Sequence, residues 1–234
     1  MTWNGKLPYH IAIILDGNRR WADIKGISRK NAINYGIVKV EEILFNWGER
    51  FKNEYKTTPF KQLTIYALTL NNIQNRPQVE LKEIYNAFLE EISHVKSSGE
   101  FEHYQIRVKF GGKRSSLPQN LAKAMGELEM LTKNYTTYNF FIPIAYDGNE
   151  EIQDAVKHSA LLKNQFENNL YFPEAKPIDM MIRTGGEMRL SGFMLWYIGQ
   201  AELFFPKTLA EDFTYEEFES LLREYSLRDR RFGK

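Results

Sequence analysis

Short apolar runs alternate with longer segments of helical spacing along almost the whole chain. The first run, residues 11–15 (IAIIL), is continuously apolar, as expected of a strand buried on both faces. Between the runs, apolar residues recur every three or four positions, which is typical of helices that pack on a sheet. Six runs fit strands: residues 11–15, 63–68, 105–110, 139–145, 178–182 and 202–205. The alternation predicts an α/β fold with a mostly parallel, six-stranded sheet flanked by helices.

The length of 234 residues is compatible with one large domain or two small ones. No linker, repeat or low-complexity tract interrupts the alternation, so we predict a single domain over residues 1–234. No segment reaches the roughly 18 consecutive apolar residues of a membrane span, and the first ten residues lack the apolar core of a secretory signal. We therefore expect a cytoplasmic location.

Charge and cysteine content exclude several classes of function. The 31 Lys and Arg residues nearly cancel the 30 Asp and Glu residues, which leaves a formal net charge of +1. This balance argues against nucleic acid as a partner. There are no cysteines, which excludes disulfides, a cysteine zinc site, an iron–sulfur cluster and a thiol nucleophile.

Polar residues follow the first apolar run, at the point where its strand is predicted to end. In an open α/β sheet, ligands bind beyond the carboxyl ends of the strands. Asp16 supplies oxygen ligands for a hard cation, while Gly17 and the helix start at Asn18 expose backbone N–H groups to phosphate. The alternative is an Asx turn that only caps the helix.

The fifth run is followed by a second polar cluster. Arg183 and Arg189 flank a Gly-Gly turn, and Ser191 comes shortly after. Guanidinium groups bind phosphate oxygens through paired hydrogen bonds, so the cluster suits a polyphosphate. The alternative is a surface turn with two solvated arginines. Glu202 lies within a later apolar stretch, where a carboxylate usually has a partner or a metal.

Three separated segments together resemble the cis-prenyltransferase family, the undecaprenyl diphosphate synthase-like enzymes. They are residues 10–21 (HIAIILDGNRRW), residues 179–205 and residues 231–233 (RFG). The resemblance implies the cis-prenyltransferase fold and a Mg²⁺-dependent enzyme. Such an enzyme condenses isopentenyl diphosphate with an allylic prenyl diphosphate to give a longer cis prenyl diphosphate. The growing chain would lie in an apolar tunnel between the helix around residues 81–95 and the sheet.

The resemblance also implies a role for each matching residue. Asp16 would bind Mg²⁺ beneath the allylic diphosphate, Asn18 would assist departure of that diphosphate, and Glu202 would help to place the ion. The residues implied in binding the allylic substrate are Gly17, Arg19, Arg20, Trp21 and Arg29. Those implied in binding isopentenyl diphosphate are Arg183, Arg189 and Ser191. Arg231 and Gly233 would reach the active site of a partner subunit, which implies a homodimer. The apolar product implies peripheral contact with a membrane.

The central family motif is altered in this chain. The motif usually reads Ser-x-Glu-Asn-x-x-Arg-Pro, whereas residues 69–77 read TLNNIQNRP. The glutamate and the usual aromatic residue are missing, and there is one extra residue. Either Asn71 or Asn72 can stand for the catalytic asparagine of the motif, and Arg76 matches its substrate-binding arginine.

Two further positions depart from the family, and three hypotheses follow. Ile33 stands where the family has a histidine, and residues 146–149 (YDGN) lack the usual arginine. The leading hypothesis is an active cis-prenyltransferase, because the Asp-Gly-Asn motif and the later arginines are present. The second is non-head-to-tail coupling of prenyl units by the same site. The third is a non-catalytic subunit of a heteromeric prenyltransferase, although such subunits typically lack the Asp-Gly-Asn motif.

Overall fold

The computed structural model describes residues 2–229 of the chain. Contacts within this part define two compact units. The first contains residues 2–63, 177–188 and 198–229, and the second contains residues 64–176 and 189–197. The single domain stays a prediction. Within residues 2–229, none of the helices is both long enough and apolar enough to span a bilayer.

The described residues form seven strands and nine α-helices. The strands are β1 (His10–Ile14), β2 (Gln62–Ile65), β3 (Leu68–Thr69), β4 (Ile106–Gly111), β5 (Tyr138–Tyr146), β6 (Met180–Arg183) and β7 (Glu202–Phe204). The α-helices are α1 (Asn18–Lys25), α2 (Arg29–Glu41), α3 (Gly48–Tyr55), α4 (Leu70–Asn75), α5 (Gln78–Ser98), α6 (Glu100–His103), α7 (Gln119–Thr132), α8 (Gly148–Leu162) and α9 (Tyr215–Leu227). A π-helical turn (Glu42–Trp47) joins α2 to α3, and short 3₁₀ turns span Arg114–Ser116, Phe166–Asn169 and Ala210–Asp212. The predicted mostly parallel arrangement is confirmed. The strand count is seven rather than six, because the run at residues 63–68 divides into β2 and β3.

The strands of the first unit place two loops at one edge. β1 is buried along its length and pairs in parallel with β6, from Ile11 beside Met180 to Ile14 beside Arg183. β6 pairs in parallel with β7, with Met180 beside Glu202. Because all three strands run in the same direction, the segments that follow β1 and β6 emerge at the same edge. Glu202, which begins β7, lies at the opposite edge.

A long helical segment of the first unit packs through aromatic side chains. The π-helical turn carries Trp47, whose ring centroid lies 5.5 Å from that of Phe213 and 5.2 Å from that of Phe218 in α9. Trp47 is 2% exposed. Burial of a side chain of this size contributes about 3 kcal/mol to stability, so this cluster fixes α9 and the 3₁₀ turn that precedes it.

The second unit is built around β5. This strand pairs in parallel with β4 along six residues and with β3 at its carboxyl end. Helix α5 buries Leu81, Ile84 and Ile92, as its helical spacing predicts. The helix also presents half-buried apolar side chains, Tyr85 and Phe88 among them. The apolar tunnel beside this helix stays a prediction.

Candidate active site

The backbone of Asp16 is fixed where the chain leaves β1. Its N–H donates to the hydroxyl oxygen of Thr184 over 2.8 Å, and the Thr184 hydroxyl lies 2.8 Å from the Asp16 carbonyl oxygen. That carbonyl oxygen also accepts a hydrogen bond of 3.1 Å from the N–H of Ala210. Asp16 is thus held by the residue that follows β6 and by the 3₁₀ turn at residues 210–212.

The Asp16 carboxylate binds arginines rather than capping helix α1. Arg183 donates from Nη2 to Oδ2 over 2.7 Å and from Nε to the same oxygen over 3.3 Å. Arg20 Nη2 lies 3.8 Å from Oδ1. The N-cap of α1 is Gly17, and no side chain caps it, so the Asx turn is not formed. The Asp16 side chain is 31% exposed and Arg183 is 5% exposed, which leaves a carboxylate accessible beside a buried cation.

Two glycines allow the loops after β1 and β6 to approach closely. Gly17 has φ +115°, and a Cβ atom there would lie 2.7 Å from Leu209 Cδ2. Gly185 has φ +82°, and a Cβ atom there would lie 2.5 Å from Arg20 Nη2. Arg20 Nη1 also donates to the Gly185 carbonyl oxygen over 3.0 Å. Any other residue at either position would strain the backbone and displace the side chain of Leu209 or Arg20.

The remaining residues of the first motif support helix α1. Trp21 is buried, and its Nε1 donates to Asp212 Oδ1 over 2.9 Å. Arg29 donates from Nη1 to the carbonyl oxygen of Arg19 over 2.5 Å and pairs with Asp23 over 2.8 Å. The structure therefore brings Gly17, Arg20 and Arg183 around Asp16, while Trp21 and Arg29 brace the helix.

Glu202 lies away from Asp16 within the chain. Met180 of β6 pairs with Ile11 on one side and with Glu202 on the other, so Glu202 lies at the level of Ile11. Ile11 is three residues, or about 10 Å, from the end of β1. Its Oε2 accepts a 2.8 Å hydrogen bond from Arg228 Nη1. The structure thus does not bring the two predicted metal ligands together in one chain, because the parallel register puts them at opposite edges. Residues 2–229 also contain no group of three or more His, Asp or Glu side chains that could hold a metal.

In the second unit, Arg189 and Ser191 lie exposed on an irregular loop. Ser191 has φ +52° and Gly192 has φ +76°. The carbonyl oxygen of Gly192 accepts a 2.8 Å hydrogen bond from the N–H of Gly148, and a Cβ atom on Gly192 would lie 2.7 Å from Asp147 Oδ2. The loop therefore contacts the start of α8 through residues 147–148 of the YDGN segment. In the sequence, this segment is notable only because it lacks an arginine.

A buried carboxylate that sequence reasoning missed holds the far end of the same loop. Glu151 is fully buried and accepts hydrogen bonds from the hydroxyl of Tyr146 over 2.5 Å and from the hydroxyl of Tyr197 over 3.2 Å. The Tyr171 N–H donates to it over 2.8 Å. Burial raises the pKa of Glu151, and these hydrogen bonds only partly oppose that shift. Within the run NEE, the sequence gives no sign that one glutamate is buried.

The altered central motif forms the short helix α4. Thr69 caps it by accepting a 2.9 Å hydrogen bond from the Asn72 N–H. Asn72 Oδ1 lies 3.4 Å from Arg76 Nη2, whereas the exposed Asn71 accepts a 2.7 Å hydrogen bond from Asn75. Asn72 is therefore the asparagine that accompanies Arg76. Arg231 and Gly233 lie outside the described residues.

Comparisons with known proteins agree with this arrangement. A family model described as "Putative undecaprenyl diphosphate synthase" matches residues 14–233. The chain is 35% identical over 243 residues to the tritrans,polycis-undecaprenyl-diphosphate synthase (geranylgeranyl-diphosphate specific) of Thermococcus kodakarensis, covering 99% of this chain and 89% of that protein. It is also 35% identical over 240 residues to the Pyrobaculum aerophilum enzyme of the same name, covering 98% and 97%. Lavandulyl diphosphate synthase from Lavandula x intermedia, solved in complex with dimethylallyl diphosphate, matches with a TM-score of 0.84 and 27% identity, over 97% of this chain and 98% of that one.

These matches agree on one class of enzyme, the transferases of prenyl groups. The chain belongs to the undecaprenyl diphosphate synthase family, the cis-prenyltransferases. It condenses isopentenyl diphosphate with an allylic prenyl diphosphate to give a longer cis prenyl diphosphate. The leading hypothesis on its activity is thereby confirmed, as is its fold class.

Proposed function

We propose that the allylic acceptor of this enzyme is geranylgeranyl diphosphate and that its product is a cis-elongated polyprenyl diphosphate of undecaprenyl length. The observation that carries the proposal is the 35% identity, over 99% of the chain, to a relative named for both specificities. A second relative of the same name shows the same identity over 98% of the chain. Acceptor choice and product length are therefore inferred from these two enzymes.

Mg²⁺ fits the residues around Asp16. Mg²⁺ is usually held by one or two carboxylates together with substrate phosphates, rather than by an all-protein cage. Asp16 offers one partly exposed carboxylate, and Arg20 and Arg183 beside it can take phosphate oxygens. Asp16 would hold the ion, whose charge, when it is bound, helps to stabilise the departing diphosphate. Since Glu202 lies at the other edge of the strands, we assign the ion to Asp16 alone within one chain.

The chain's own residues supply the remaining chemistry. Departing diphosphate concentrates negative charge, which the N–H groups at the start of α1, the Asn18 amide and Arg20 would stabilise. The alkene of isopentenyl diphosphate attacks the allylic carbon as the carbon–oxygen bond breaks, and a proton leaves the new chain. We assign isopentenyl diphosphate binding to Arg183, Arg189 and Ser191, and a supporting role to Asn72 and Arg76, as the family resemblance implies.

Two finer features belong to the same proposal. The enzyme would act as a homodimer, in which Arg231 and Gly233 reach the active site of the partner subunit. The product would bring the enzyme into peripheral contact with a membrane.

The direct test is a product analysis. The purified chain is incubated with Mg²⁺, isopentenyl diphosphate and, separately, dimethylallyl, geranyl, farnesyl and geranylgeranyl diphosphate. We expect the highest kcat/KM with geranylgeranyl diphosphate and, by NMR, regular cis head-to-tail linkages. A shorter acceptor with a higher kcat/KM would overturn the acceptor assignment. Irregular linkages would instead establish the non-head-to-tail coupling, and Asp16→Ala serves as the inactive control.

A further inference from the structure

The segment at residues 209–212 supports the loop that follows β1. The N–H of Ala210 donates to the carbonyl oxygen of Asp16 over 3.1 Å. The side chain of Leu209 fills the space that a Cβ atom on Gly17 would need, at 2.7 Å. Together with the bond from Trp21 to Asp212 described above, three residues of this segment thus each hold one part of the loop.

The remaining residue of the segment, Glu211, has an unusual environment. Both of its carboxylate oxygens are buried, and among residues 2–229 no hydrogen bond of standard geometry satisfies either of them. Burial raises the pKa of Glu211, and nearby Asp212 adds to that rise, whereas its own backbone N–H, the Asn18 side chain and Lys39 oppose it. A buried carboxyl group without such hydrogen bonds destabilises the folded chain, so its presence calls for an explanation.

The neighbour of Glu211 that matters for the reaction is Asn18. The amide nitrogen of Asn18 lies against Gly36 of α2, where a Cβ atom would come within 2.8 Å of it. The same Asn18 side chain is one of the groups that lower the pKa of Glu211, although no hydrogen bond of standard geometry joins the two. The amide therefore lies against α2, two residues after Asp16 in the sequence.

We propose that Glu211 is a positioning residue, which accepts a hydrogen bond from the Asn18 amide and so directs that amide toward the departing diphosphate. This inference rests on the role proposed for Asn18. The Glu211 carboxyl and the diphosphate both accept hydrogen bonds. The Asn18 side chain therefore binds both only when its amide nitrogen, the donor, points toward them. The reversed amide would present its oxygen to both. The bond lacks standard geometry in the structure, as is common for catalytic contacts that tighten when substrate binds.

The test compares three variants for kcat and for KM. Loss of the contact in Glu211→Ala should lower kcat about tenfold with little change in either KM, because departing diphosphate benefits from Asn18 only in the transition state. Glu211→Gln keeps an acceptor oxygen and should stay within about threefold of the wild-type kcat. Glu217→Ala, which removes a nearby carboxylate whose partner is Thr208 at 2.9 Å, should leave kcat unchanged. An unchanged kcat in Glu211→Ala would overturn the proposal.

Thermal melting separates positioning from a purely structural role. Glu211→Ala removes a buried carboxyl group and should melt at or above the wild-type temperature. A fall in both melting temperature and kcat would make Glu211 structural and overturn the proposal.

A double variant tests whether Glu211 acts through Asn18. Asn18→Ala with Glu211→Ala should be no slower than Asn18→Ala alone, and a further tenfold loss would overturn the proposal. If the wild-type chain turned over no acceptor, that result would overturn the proposed function and not the contact between Glu211 and Asn18. The free energies of unfolding of the same variants would still test the contact, since the absence of coupling between the two positions would overturn it.

Discussion

Two regions carry the diphosphate contacts assigned to this enzyme, and they are built differently. In the first unit, Asp16 and Arg183 follow paired parallel strands, and the buried Arg183 already binds Asp16 over 2.7 Å. In the second unit, Arg189 and Ser191 lie exposed on a loop without regular structure. Strand register brings the first set together, and backbone hydrogen bonds hold it there, whereas the second depends on contacts at Gly192 and Glu151. The first region should therefore be sensitive to chemistry at its centre, and the second to changes in the parts that support it.

The largest effect is expected from a change at the centre of the strand-end region. Asp16→Asn keeps the shape of the side chain and an acceptor for Arg183 but removes the negative charge assigned to Mg²⁺. We expect kcat to fall about 10³-fold, measured by product formation at saturating substrates. Asp23→Asn, which removes the carboxylate of α1 that pairs with Arg29 of α2, should cost far less. Retention of more than about a tenth of wild-type turnover in Asp16→Asn would contradict the assignment.

A smaller effect should separate the two regions directly. Arg183→Lys replaces a buried guanidinium that makes two hydrogen bonds to one carboxylate, and a lysine cannot reproduce that geometry. We expect kcat/KM for isopentenyl diphosphate to fall about 100-fold. The exposed Arg189 has room to adapt, so Arg189→Lys should cost about tenfold. Equal losses in the two variants would contradict the difference drawn between the regions.

The strand-end site was largely predictable from the sequence, for a physical reason. A continuously apolar run marks a buried strand, and parallel strands end at one edge, so the residues after residues 11–15 and 178–182 were expected at the same edge. Glu202 already stood first in the run at residues 202–205, at the opposite end of its strand from a residue such as Asp16, so its metal role rested on the resemblance and not on the strand pattern. The structure places it first in β7, beside Arg228, a partner 26 residues away. The division of residues 63–68 into β2 and β3 could not be predicted from the apolar pattern either.

The loop of the second unit was predictable in its residues but not in its support. Arg189 and Ser191 could be named because arginines around glycines suit phosphate. The hydrogen bond from Gly148 to Gly192 and the burial of Glu151 result from long-range packing, which neither periodicity nor composition encodes. The burial of the Glu211 carboxyl group could not be predicted either, because no hydrophobic pattern around that residue indicates it.

The support of this loop can be tested with two matched glycines. Gly192 has φ +76° and Gly99 has φ +75°, so an alanine at either position pays the left-handed cost of about 1–2 kcal/mol. Only at residue 192 would the new Cβ atom meet Asp147, since nothing lies within 4 Å of it at residue 99. We expect Gly192→Ala to lower kcat/KM for isopentenyl diphosphate about fivefold by displacing Ser191, while Gly99→Ala affects stability alone. Equal kcat/KM in the two variants would show that Gly192 does not position the loop.

The smallest expected effect concerns the pH dependence of stability at Glu151. Because burial raises its pKa, the folded chain binds more protons than the unfolded chain above the ordinary value of 4.5. The free energy of unfolding should therefore fall as pH rises from 4.5 to the raised pKa, by about 1.4 kcal/mol for each pH unit between the two values. Glu151→Gln cannot ionise and should lose this part of the slope, measured by urea unfolding across that range.

The control for this measurement is Glu167→Gln, which neutralises an exposed glutamate of the same unit and should keep the wild-type slope. If Glu151→Gln also kept that slope, Glu151 would not carry its proton in the folded chain, and the loop would rest on an ionised carboxylate instead. If the slope disappears, the loop that carries Arg189 and Ser191 weakens as the pH rises. We expect no such dependence for the pair of Asp16 and Arg183, which belongs to the first unit. Urea unfolding of Asp16→Asn with Glu151→Gln, compared with each single variant, would then report additive changes.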